Sequence, residues 1–390
     1  MSQIKQLIAV IIALIVAISS GCIDSPAKYQ GKVDLESFKK ISKVRFGFLG
    51  VEHEPEILEK AGVRWDRPHP GPFVWNDIDP DGQGNDFNWD NTDSYIDKVQ
   101  QYDFVTLATI WPFNQSDADK YHTDKPEASG EVFRELPDKL YKPGDMKAYK
   151  GFIKALVERY DGDGKDDYEG LKYPIKYWEA SNEPSMQNEE LTFFQGTPDD
   201  YFEILKATYE AVKEADSGAY VLHAGSAGMG DGQKPFWDKM FSIKDVGKYF
   251  DIANIHSINA SADFWVPDFA KLLKEKGLDD KPIWVTEANL GRKSMAPPPP
   301  PPSEPGQGKK PPLPPDKVKP EETELSVDEH AKKLEEAFET AFSSGAEKIF
   351  YTSLRANDID PGTELISDED GVNSPAWLTF KKLVEKYDKY

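Results

Sequence analysis

Short apolar runs alternate with longer amphipathic stretches from residue 44 to the end of the chain. The apolar runs have the length of buried strands, and apolar residues in the longer stretches recur with the period of a helix. Alternation of this kind is typical of a parallel sheet whose strands are joined by helices. The sequence contains eight such strand–helix pairs, which predicts a single (β/α)8 barrel of the triosephosphate isomerase type over residues 44–390.

The bounds of these elements follow from where each pattern starts and stops. The predicted strands are 44–50, 63–67, 104–110, 171–183, 220–226, 252–257, 282–287 and 348–354. The predicted helices are 55–61, 89–101, 145–160, 198–215, 234–241, 267–276, 327–343 and 375–387. Active sites of such barrels lie in the strand-to-helix loops, several of which are long here, so we expect the functional residues at the carboxyl ends of the strands.

Two of the predicted strands end in a glutamate. The fourth strand ends in Asn182-Glu183-Pro184, and the seventh ends in Thr286-Glu287. Hydrolysis of a glycosidic bond with retention uses one protonated and one ionised carboxyl group, about 5 to 5.5 Å apart. Strand ends four and seven of a barrel face one open mouth, so the sequence predicts this acid pair. Asn182 is predicted to bind a hydroxyl group of the sugar.

These motifs resemble the clan A glycoside hydrolases, which are retaining enzymes built on this barrel. The resemblance covers the chain from residue 44 onwards. It implies that Glu183 is the general acid/base, that Glu287 is the nucleophile and that Asn182 contacts the substrate. Two alternatives on the residues alone are a pair of incidental strand-end carboxylates and a binding protein without turnover.

Weaker matches to the same group are Arg67 at the end of the second strand and His256 at the end of the sixth. Arg67 either orients Glu287 or is the structural partner of Glu179, which lies on the same strand face as Glu183. His256 is either a site residue or a hydrogen-bonded structural one. In the eighth strand, Tyr351 stands where many members of the group have a tryptophan.

Aromatic residues near strand ends are candidates for stacking on sugar rings, as Trp111 is after the third strand. Local packing beneath a long loop is the alternative interpretation. The other candidates of this kind are Trp75, Phe113 and Trp265.

Composition narrows the classes of partner. The chain has 69 acidic and 47 basic residues, a net charge of -22, which argues against a nucleic-acid partner. The acidic segment 161–167 lacks the glycine and glutamate of a calcium-binding EF-hand loop. No histidine or carboxylate cluster has the spacing of a metal site, so we expect neither a metal nor a cofactor.

The first 22 residues have the pattern of a lipoprotein-type signal peptide. Lys5 precedes an apolar run from Leu7 to Ile18, and Ser20-Gly21-Cys22 follows. The pattern predicts lipidation of Cys22 and a protein that is secreted or anchored at the cell surface through the lipid, with 23–43 as a polar spacer. Ordinary signal cleavage and an uncleaved anchor are the alternatives.

A proline-rich insertion interrupts the barrel pattern after the seventh strand. Twelve of the twenty-four residues in 297–320 are proline, which excludes regular strands and helices there. The insertion is either a solvated spacer or a semi-rigid flap beside the cleft.

The sequence as a whole predicts an extracytoplasmic retaining glycoside hydrolase that cleaves β-linked poly- or oligosaccharide. Two alternatives are a non-catalytic carbohydrate-binding lipoprotein on the same barrel and an adhesive surface protein that uses the proline-rich insertion.

Overall fold

Strands and helices alternate along the chain and close into a (β/α)8 barrel, which confirms the predicted fold class. The predicted signal peptide, residues 1–22 with Cys22, and the proline-rich segment 297–320 lie outside the described residues. The computed structural model describes residues 28–188, 191–258, 262–294, 323–356 and 362–388.

The barrel is formed by nine parallel strands that occupy eight positions. They are hydrogen-bonded in the order β5-β4-β3-β2-β1-β11-β8-β7-β6. An antiparallel pair, β9 with β10, lies outside the barrel in the region that follows β8. The strands are β1 (Phe46–Leu49), β2 (Trp65–Arg67), β3 (Val105–Ile110), β4 (Tyr177–Ala180), β5 (Tyr220–His223), β6 (Ser226–Ala227), β7 (Ala253–Ser257), β8 (Ile283–Ala288), β9 (Lys293–Ser294), β10 (Thr323–Glu324) and β11 (Ala346–Tyr351).

The fifth position corrects the prediction of one continuous strand over 220–226. The structure divides it into β5, which pairs with β4, and β6, which pairs with β7. At Gly225, between the two, an added Cβ would lie 2.0 Å from the His256 ring, so the backbone passes directly against that ring. The break therefore transfers the chain from one neighbouring strand to the other, and a bridge between Leu222 and Ile252 closes the barrel.

Helices pack around the barrel, and most begin at the residue where the sequence pattern starts. Asp145, for example, accepts a hydrogen bond from the backbone N–H of Ala148 and caps α6, whose apolar residues then fall on one buried face. The helices are α1 (Leu35–Ile41), α2 (Pro55–Lys60), α3 (Trp75–Ile78), α4 (Asp90–Gln100), α5 (Gln115–Tyr121), α6 (Met146–Tyr160), α7 (Pro198–Ala215), α8 (Lys234–Met240), α9 (Val266–Glu275), α10 (Val327–Ser343) and α11 (Pro375–Tyr387).

The segment expected to be a polar spacer contains helix α1. Asp34 caps this helix through the backbone N–H of Ser37, and Ile41 is buried against the core. The backbone N–H of Asp34 also donates to the carbonyl of Lys172, at 2.8 Å. The folded unit therefore begins before residue 44, because even this mostly polar stretch has a cap and an apolar anchor.

Aromatic side chains fill the lower half of the barrel interior. The centroid of the Trp65 ring lies 5.0 Å from that of Tyr177 and 5.2 Å from that of Trp284, and both contacts are edge-to-face. Polar side chains occupy the upper half, where the strands end.

Among the described residues, no helix combines the length and the apolar character that crossing a membrane requires.

Candidate active site

A cavity of about 1100 Å³ opens at the carboxyl ends of the barrel strands. Both predicted glutamates line it, Glu183 beyond the end of β4 and Glu287 near the end of β8. A carboxylate oxygen of each, together with a ring nitrogen of His256, lies within 4.8 Å of the others. The structure thus brings together the two carboxyl groups that the sequence analysis paired.

The backbone after β4 turns sharply to aim Glu183 at the cavity. Ser181 and Glu183 have φ angles of 73° and 39°, in the left-handed region that favours glycine. Residues held there cost about 1–3 kcal/mol each and are common at functional sites. A hydrogen bond from the backbone N–H of Ser181 to the carbonyl of Ile110, at 2.9 Å, fixes the turn on β3.

Arg67 lies beneath the cavity and forms hydrogen bonds with several of the predicted site residues. Its guanidinium donates to Glu287 at 2.7 Å and to the side-chain oxygen of Asn182 at 2.8 Å. It also donates through Nε to Glu179 at 2.8 Å, so the expected pair of Arg67 with Glu179 is present. The two interpretations offered for Arg67 are therefore both met by one side chain, because the fork of five N–H groups reaches several acceptors.

Glu179 is completely buried at the centre of this polar layer. Thr109 donates to it at 2.5 Å, Thr286 donates at 3.1 Å, and the Asn254 side chain donates to the same oxygen as Thr286. Burial alone would raise the pKa of Glu179, but the charge of Arg67 and the contact with His256 lower it to about 2. Glu179 is therefore expected to be ionised at neutral pH.

His256 lies between the carboxylates. Its Nδ1 is 2.8 Å from Glu183 and 3.5 Å from Glu287, and its Nε2 is 2.8 Å from the Thr286 hydroxyl. Burial would lower the pKa of His256, yet the charge of Glu287 and the nearby carboxylates of Glu179 and Glu183 raise it to about 9. A protonated imidazole donates from both nitrogens, which agrees with acceptors on both sides.

The environments of the two glutamates shift their pKa values in opposite directions. Burial raises the pKa of Glu183, and the negative charge of Glu287 acts in the same direction, against the effect of His256. Burial would also raise the pKa of Glu287, but the charges of His256 and Arg67 lower it to about 2. One carboxyl group is thus suited to hold a proton and the other to remain ionised, which is the division of roles that paired acid chemistry needs.

His69 is a site residue that the sequence analysis missed. It lies in the loop after β2 and lines the cavity, with its ring packed on Phe133 and Trp111. Its Nδ1 is 3.6 Å from Glu287 and has no hydrogen-bond partner among the described residues. Burial lowers the pKa of His69 to about 4, so the imidazole is neutral. The sequence feature that could have identified His69 is its position two residues after Arg67, just beyond the end of a strand.

Trp111 and Tyr351 lie near the site but do not line the cavity. Both are completely buried. The Trp111 indole N–H donates to the carbonyl of Pro70 at 2.6 Å, and the Tyr351 hydroxyl donates to the carbonyl of Thr363 at 3.0 Å. Trp75, Phe113 and Trp265 are likewise not among the described residues that line the cavity. The predicted contacts of these five side chains with a sugar therefore stay predictions.

Two groups among the described residues bring potential metal ligands within 4.8 Å of one another. One is Glu183, His256 and Glu287, in which Nδ1 of His256 lies 2.8 Å from Glu183. The other is Asp161, Asp163 and Asp167, whose carboxylates accept hydrogen bonds from the turn's own backbone N–H groups. These hydrogen bonds within residues 161–167 are those of an acidic turn.

No protein-family model and no curated protein sequence matches the chain. Several solved structures, in contrast, are similar to the chain. A glucosidase from Croceicoccus marinus aligns with a TM-score of 0.56 at 16% identity, over 88% of this chain and 68% of that one. A family 39 glycoside hydrolase from the gut symbiont Bacteroides cellulosilyticus WH2 gives 0.58 at 13%, over 90% and 65%.

Xylanase 10B from Thermotoga maritima aligns with a TM-score of 0.53 at 13% identity, over 90% of this chain and 97% of that one. The chain therefore spans about two thirds of the length of the first two proteins and nearly all of the xylanase. At these identities the similarity concerns the fold. This chain has the barrel that its resemblance to clan A glycoside hydrolases predicts.

Proposed function

We propose that this protein is a retaining glycoside hydrolase, with Glu183 as general acid/base and Glu287 as nucleophile. One observation carries the proposal: the two carboxylates have oxygens within 4.8 Å of each other at the mouth of a barrel. This short distance between oxygens favours the separation of about 5 to 5.5 Å between the carboxyl groups of retaining enzymes over the roughly 6.5 to 9.5 Å of inverting ones. The opposite pKa directions of Glu183 and Glu287 support the same roles.

In the first step a Glu287 oxygen attacks the anomeric carbon while the bond from that carbon to the leaving oxygen breaks. Glu183 gives its proton to the leaving oxygen, so the aglycone departs as a neutral alcohol. In the second step Glu183, now ionised, takes a proton from water as the water oxygen attacks the same carbon and displaces Glu287. Two inversions at one carbon restore the β configuration of the substrate.

Asn182 is proposed to hold the sugar. Its side-chain oxygen accepts from Arg67 at 2.8 Å, which fixes the amide and leaves its NH2 group as the donor. That nitrogen is buried and has no hydrogen-bond partner among the described residues. A buried donor without a partner costs about 1–3 kcal/mol, and a sugar hydroxyl group would satisfy it.

The proposal is tested with chromogenic β-glucosides and β-xylosides, whose products are followed by NMR. We expect the β anomer to form first, and an α product would exclude Glu287 as nucleophile. Glu287→Ala should lose at least about 10³-fold in kcat, because no other described carboxylate has its place. Adding azide to Glu287→Ala should yield an α-glycosyl azide, whereas Glu183→Ala with azide should yield a β-glycosyl azide.

The exposed Glu275 of α9 provides a matched control, since Glu275→Gln should retain the activity of the unmodified protein. A protein that binds these sugars equally well before and after Glu287→Gln but hydrolyses none of them would instead be the carbohydrate-binding alternative.

We propose further that the enzyme works outside the cytoplasm, anchored by a lipid on Cys22. The support is the charged, apolar and small-residue order of residues 1–22. The protein from a Cys22→Ala gene should move from the detergent phase to the aqueous phase in Triton X-114 partition. Equal partition of both proteins would contradict lipidation.

A further inference from the structure

The long loop after β2 contains acidic side chains that lie away from the cavity. It joins α3 to α4, and none of the described residues 79–90 lines the cavity. Asp79, Asp81, Gly84 and Asp90 occupy the first, third, sixth and twelfth places of this stretch. These are the places at which an EF-hand loop has two calcium-binding acids, its glycine and its closing carboxylate.

Gly84 adopts the backbone that the sharp turn at the sixth place requires. Its φ of +71° is in the left-handed region, and an added Cβ would lie 2.6 Å from the carbonyl oxygen of Ala148. The N–H of Gly84 donates to Oδ2 of Asp79 at 2.8 Å. The loop therefore turns back onto its first residue, and a side chain at position 84 would prevent this turn.

One oxygen of Asp79 has no partner. The Asp79 side chain is completely buried, and its Oδ2 also accepts from the Trp75 indole N–H at 2.8 Å. Its Oδ1 has no hydrogen-bond partner among the described residues. Burial raises the pKa of Asp79, and the neighbouring carboxylate of Asp81 acts in the same direction. A buried carboxylate beside a second one is costly unless a cation binds to them.

The fifth place of the loop supplies a further oxygen beside Asp81. The backbone N–H of Gln83 donates to Oδ1 of Asp81 at 3.0 Å, and the side-chain nitrogen of Gln83 donates to Oδ2 at 3.0 Å. The amide nitrogen of Gln83 is thus turned towards Asp81, and the amide oxygen remains as an acceptor. Both side chains are exposed, so an ion can reach them from solvent.

Neighbouring elements hold the start of the loop in place. The side chain of Asn114 donates to the carbonyl of Asp79 at 2.7 Å, and the Ser116 hydroxyl donates to the carbonyl of Pro80 at 2.8 Å. The first ligand is therefore positioned before an ion binds, which lowers the cost of ordering the site.

We infer that residues 79–90 bind a calcium ion, with Asp79, Asp81 and Gln83 as side-chain ligands. Calcium takes roughly six to eight oxygen ligands, and the loop pattern assigns the others to the Asn85 carbonyl, the last residue of the loop and water. A calcium ion here contradicts the expectation that the protein holds no metal. The sequence did not reveal the site, because glutamine replaces Asp or Asn at the fifth place and aspartate replaces glutamate at the twelfth.

The ion would stabilise the long loop and take no part in the chemistry. The same loop begins with His69 and Pro70, which line the cavity. Between these residues and the calcium ligands, the backbone N–H of Trp75 donates to the carbonyl of Trp111 at 3.1 Å. Calcium binding should therefore be detected as increased stability.

The test is calorimetric titration of the full-length, chelator-treated protein with CaCl2, together with thermal unfolding. We expect one ion per chain with a Kd of about 10⁻³ M or tighter. The Tm in about 10 mM CaCl2 should exceed that in EDTA by about 2–4 °C. MgCl2 should raise the Tm less, because magnesium demands octahedral geometry and loses its water reluctantly. An equal rise with MgCl2 would indicate general screening of the net charge of -22 and overturn the inference.

Asp81→Ala should weaken calcium binding at least about tenfold and abolish the rise in Tm, because it removes a charged ligand. Asp163→Ala is the matched control. Asp163 is also exposed and accepts a hydrogen bond from the backbone N–H two residues later, at 2.8 Å, so the same charge and the same kind of turn are removed. Its calcium response should equal that of the unmodified protein.

Three outcomes would overturn the inference: no calcium binding, a response that survives Asp81→Ala, or a response that Asp163→Ala removes. The last would assign the ion to residues 161–167. None of these measurements uses hydrolysis, so their outcome is independent of the proposed function.

Discussion

Five ionisable side chains share the buried layer beneath the cavity: Arg67, Glu179, Glu183, His256 and Glu287. Arg67 and protonated His256 are positive, and Glu179 and Glu287 are negative, with the pKa values of His256 and Glu287 at about 9 and about 2. The layer is electrically neutral when Glu183 carries its proton. Unbalanced buried charge is costly, so this arrangement favours the protonated acid that the first chemical step needs.

The proposed chemistry requires ionised Glu287 and protonated Glu183, so kcat/KM should have an acidic limb set by Glu287 and an alkaline limb set by Glu183. His256→Gln removes a positive charge that lowers the pKa of both groups. Both limbs should therefore move to higher pH, by about one to three pH units for a charge at this distance. The measurement is the pH profile of kcat/KM on a chromogenic substrate.

His122→Gln serves as the comparison, since His122 lies at the end of α5 and bonds to the carbonyl of Lys142. Its profile should coincide with that of the unmodified protein. Limbs of the His256→Gln profile that stay in place, or that move to lower pH, would show that His256 carries no charge in the resting site.

Among the site residues, the sequence predicted those that can be recognised from their position along a strand. Glu183 and Glu287 were paired because each ends a predicted strand, and Arg67 was chosen for the same reason. The simultaneous contacts of Arg67 with three acceptors needed the closed barrel, because its partners are more than a hundred residues away. His69 was missed because only the folded loop turns its ring towards Glu287.

Among the elements, the broken fifth strand has the clearest connection to the site. Gly225 separates β5 from β6 where the His256 ring occupies the place of a side chain. The absence of a side chain at Gly225 thus leaves room for the His256 ring, whose Nδ1 lies 2.8 Å from Glu183. Any residue with a Cβ at position 225 would have to displace either the His256 ring or the strand backbone.

Gly225→Ala should displace His256 and weaken its contact with Glu183. We expect a loss of about 1–3 kcal/mol in the free energy of unfolding, as for other overpacked sites, together with lower kcat/KM. Gly230→Ala is the matched control, because an added Cβ there meets no atom within 4 Å. Urea denaturation and steady-state kinetics measure both effects, and equal results for the two variants would contradict the role given to Gly225.

Most helix bounds were predictable because helix signals are local. The helices Pro198–Ala215, Val327–Ser343 and Pro375–Tyr387 begin and end where the sequence pattern placed them, and the first two start with capping boxes. The break in the fifth strand was not predictable, because the ring that lies against Gly225 belongs to His256, 31 residues later in the chain. Helix α1 was overlooked because a single buried residue gives little periodicity.

At the scale of the whole molecule, Lys348 fastens the N-terminal segment to the lower end of the barrel. Its Nζ donates to the carbonyls of Ser42 and Val44, each at 2.7 Å, and lies 4.7 Å from the centroid of the Trp65 ring. Burial lowers the pKa of Lys348 to about 7. Two carbonyl acceptors satisfy the two N–H bonds of a neutral amine, which agrees with this low value.

Between pH 7 and the ordinary lysine value of about 10.4, the unfolded chain holds one more proton at Lys348 than the folded protein. The contribution of Lys348 to stability therefore rises with pH in this window, by up to about 1.4 kcal/mol per pH unit. Lys348→Met removes this group, so the stability of the variant minus that of the unmodified protein should fall as pH rises from 7 to 10. Urea denaturation at several pH values measures the difference.

Lys271→Met, at an exposed position of α9, should show no such trend. A difference between Lys348→Met and the unmodified protein that is constant from pH 7 to 10 would mean that Lys348 keeps its proton in the folded barrel.

The neutral layer beneath the cavity has a consequence for the order of events in the proposed reaction. Esterification of Glu287 by the sugar abolishes its charge, and Arg67 and His256 then outweigh Glu179. Release of the proton by Glu183 with the departing alcohol restores equality, so the covalent intermediate itself stabilises the carboxylate that must next activate water. The change of role at Glu183 therefore follows from the change of charge at Glu287.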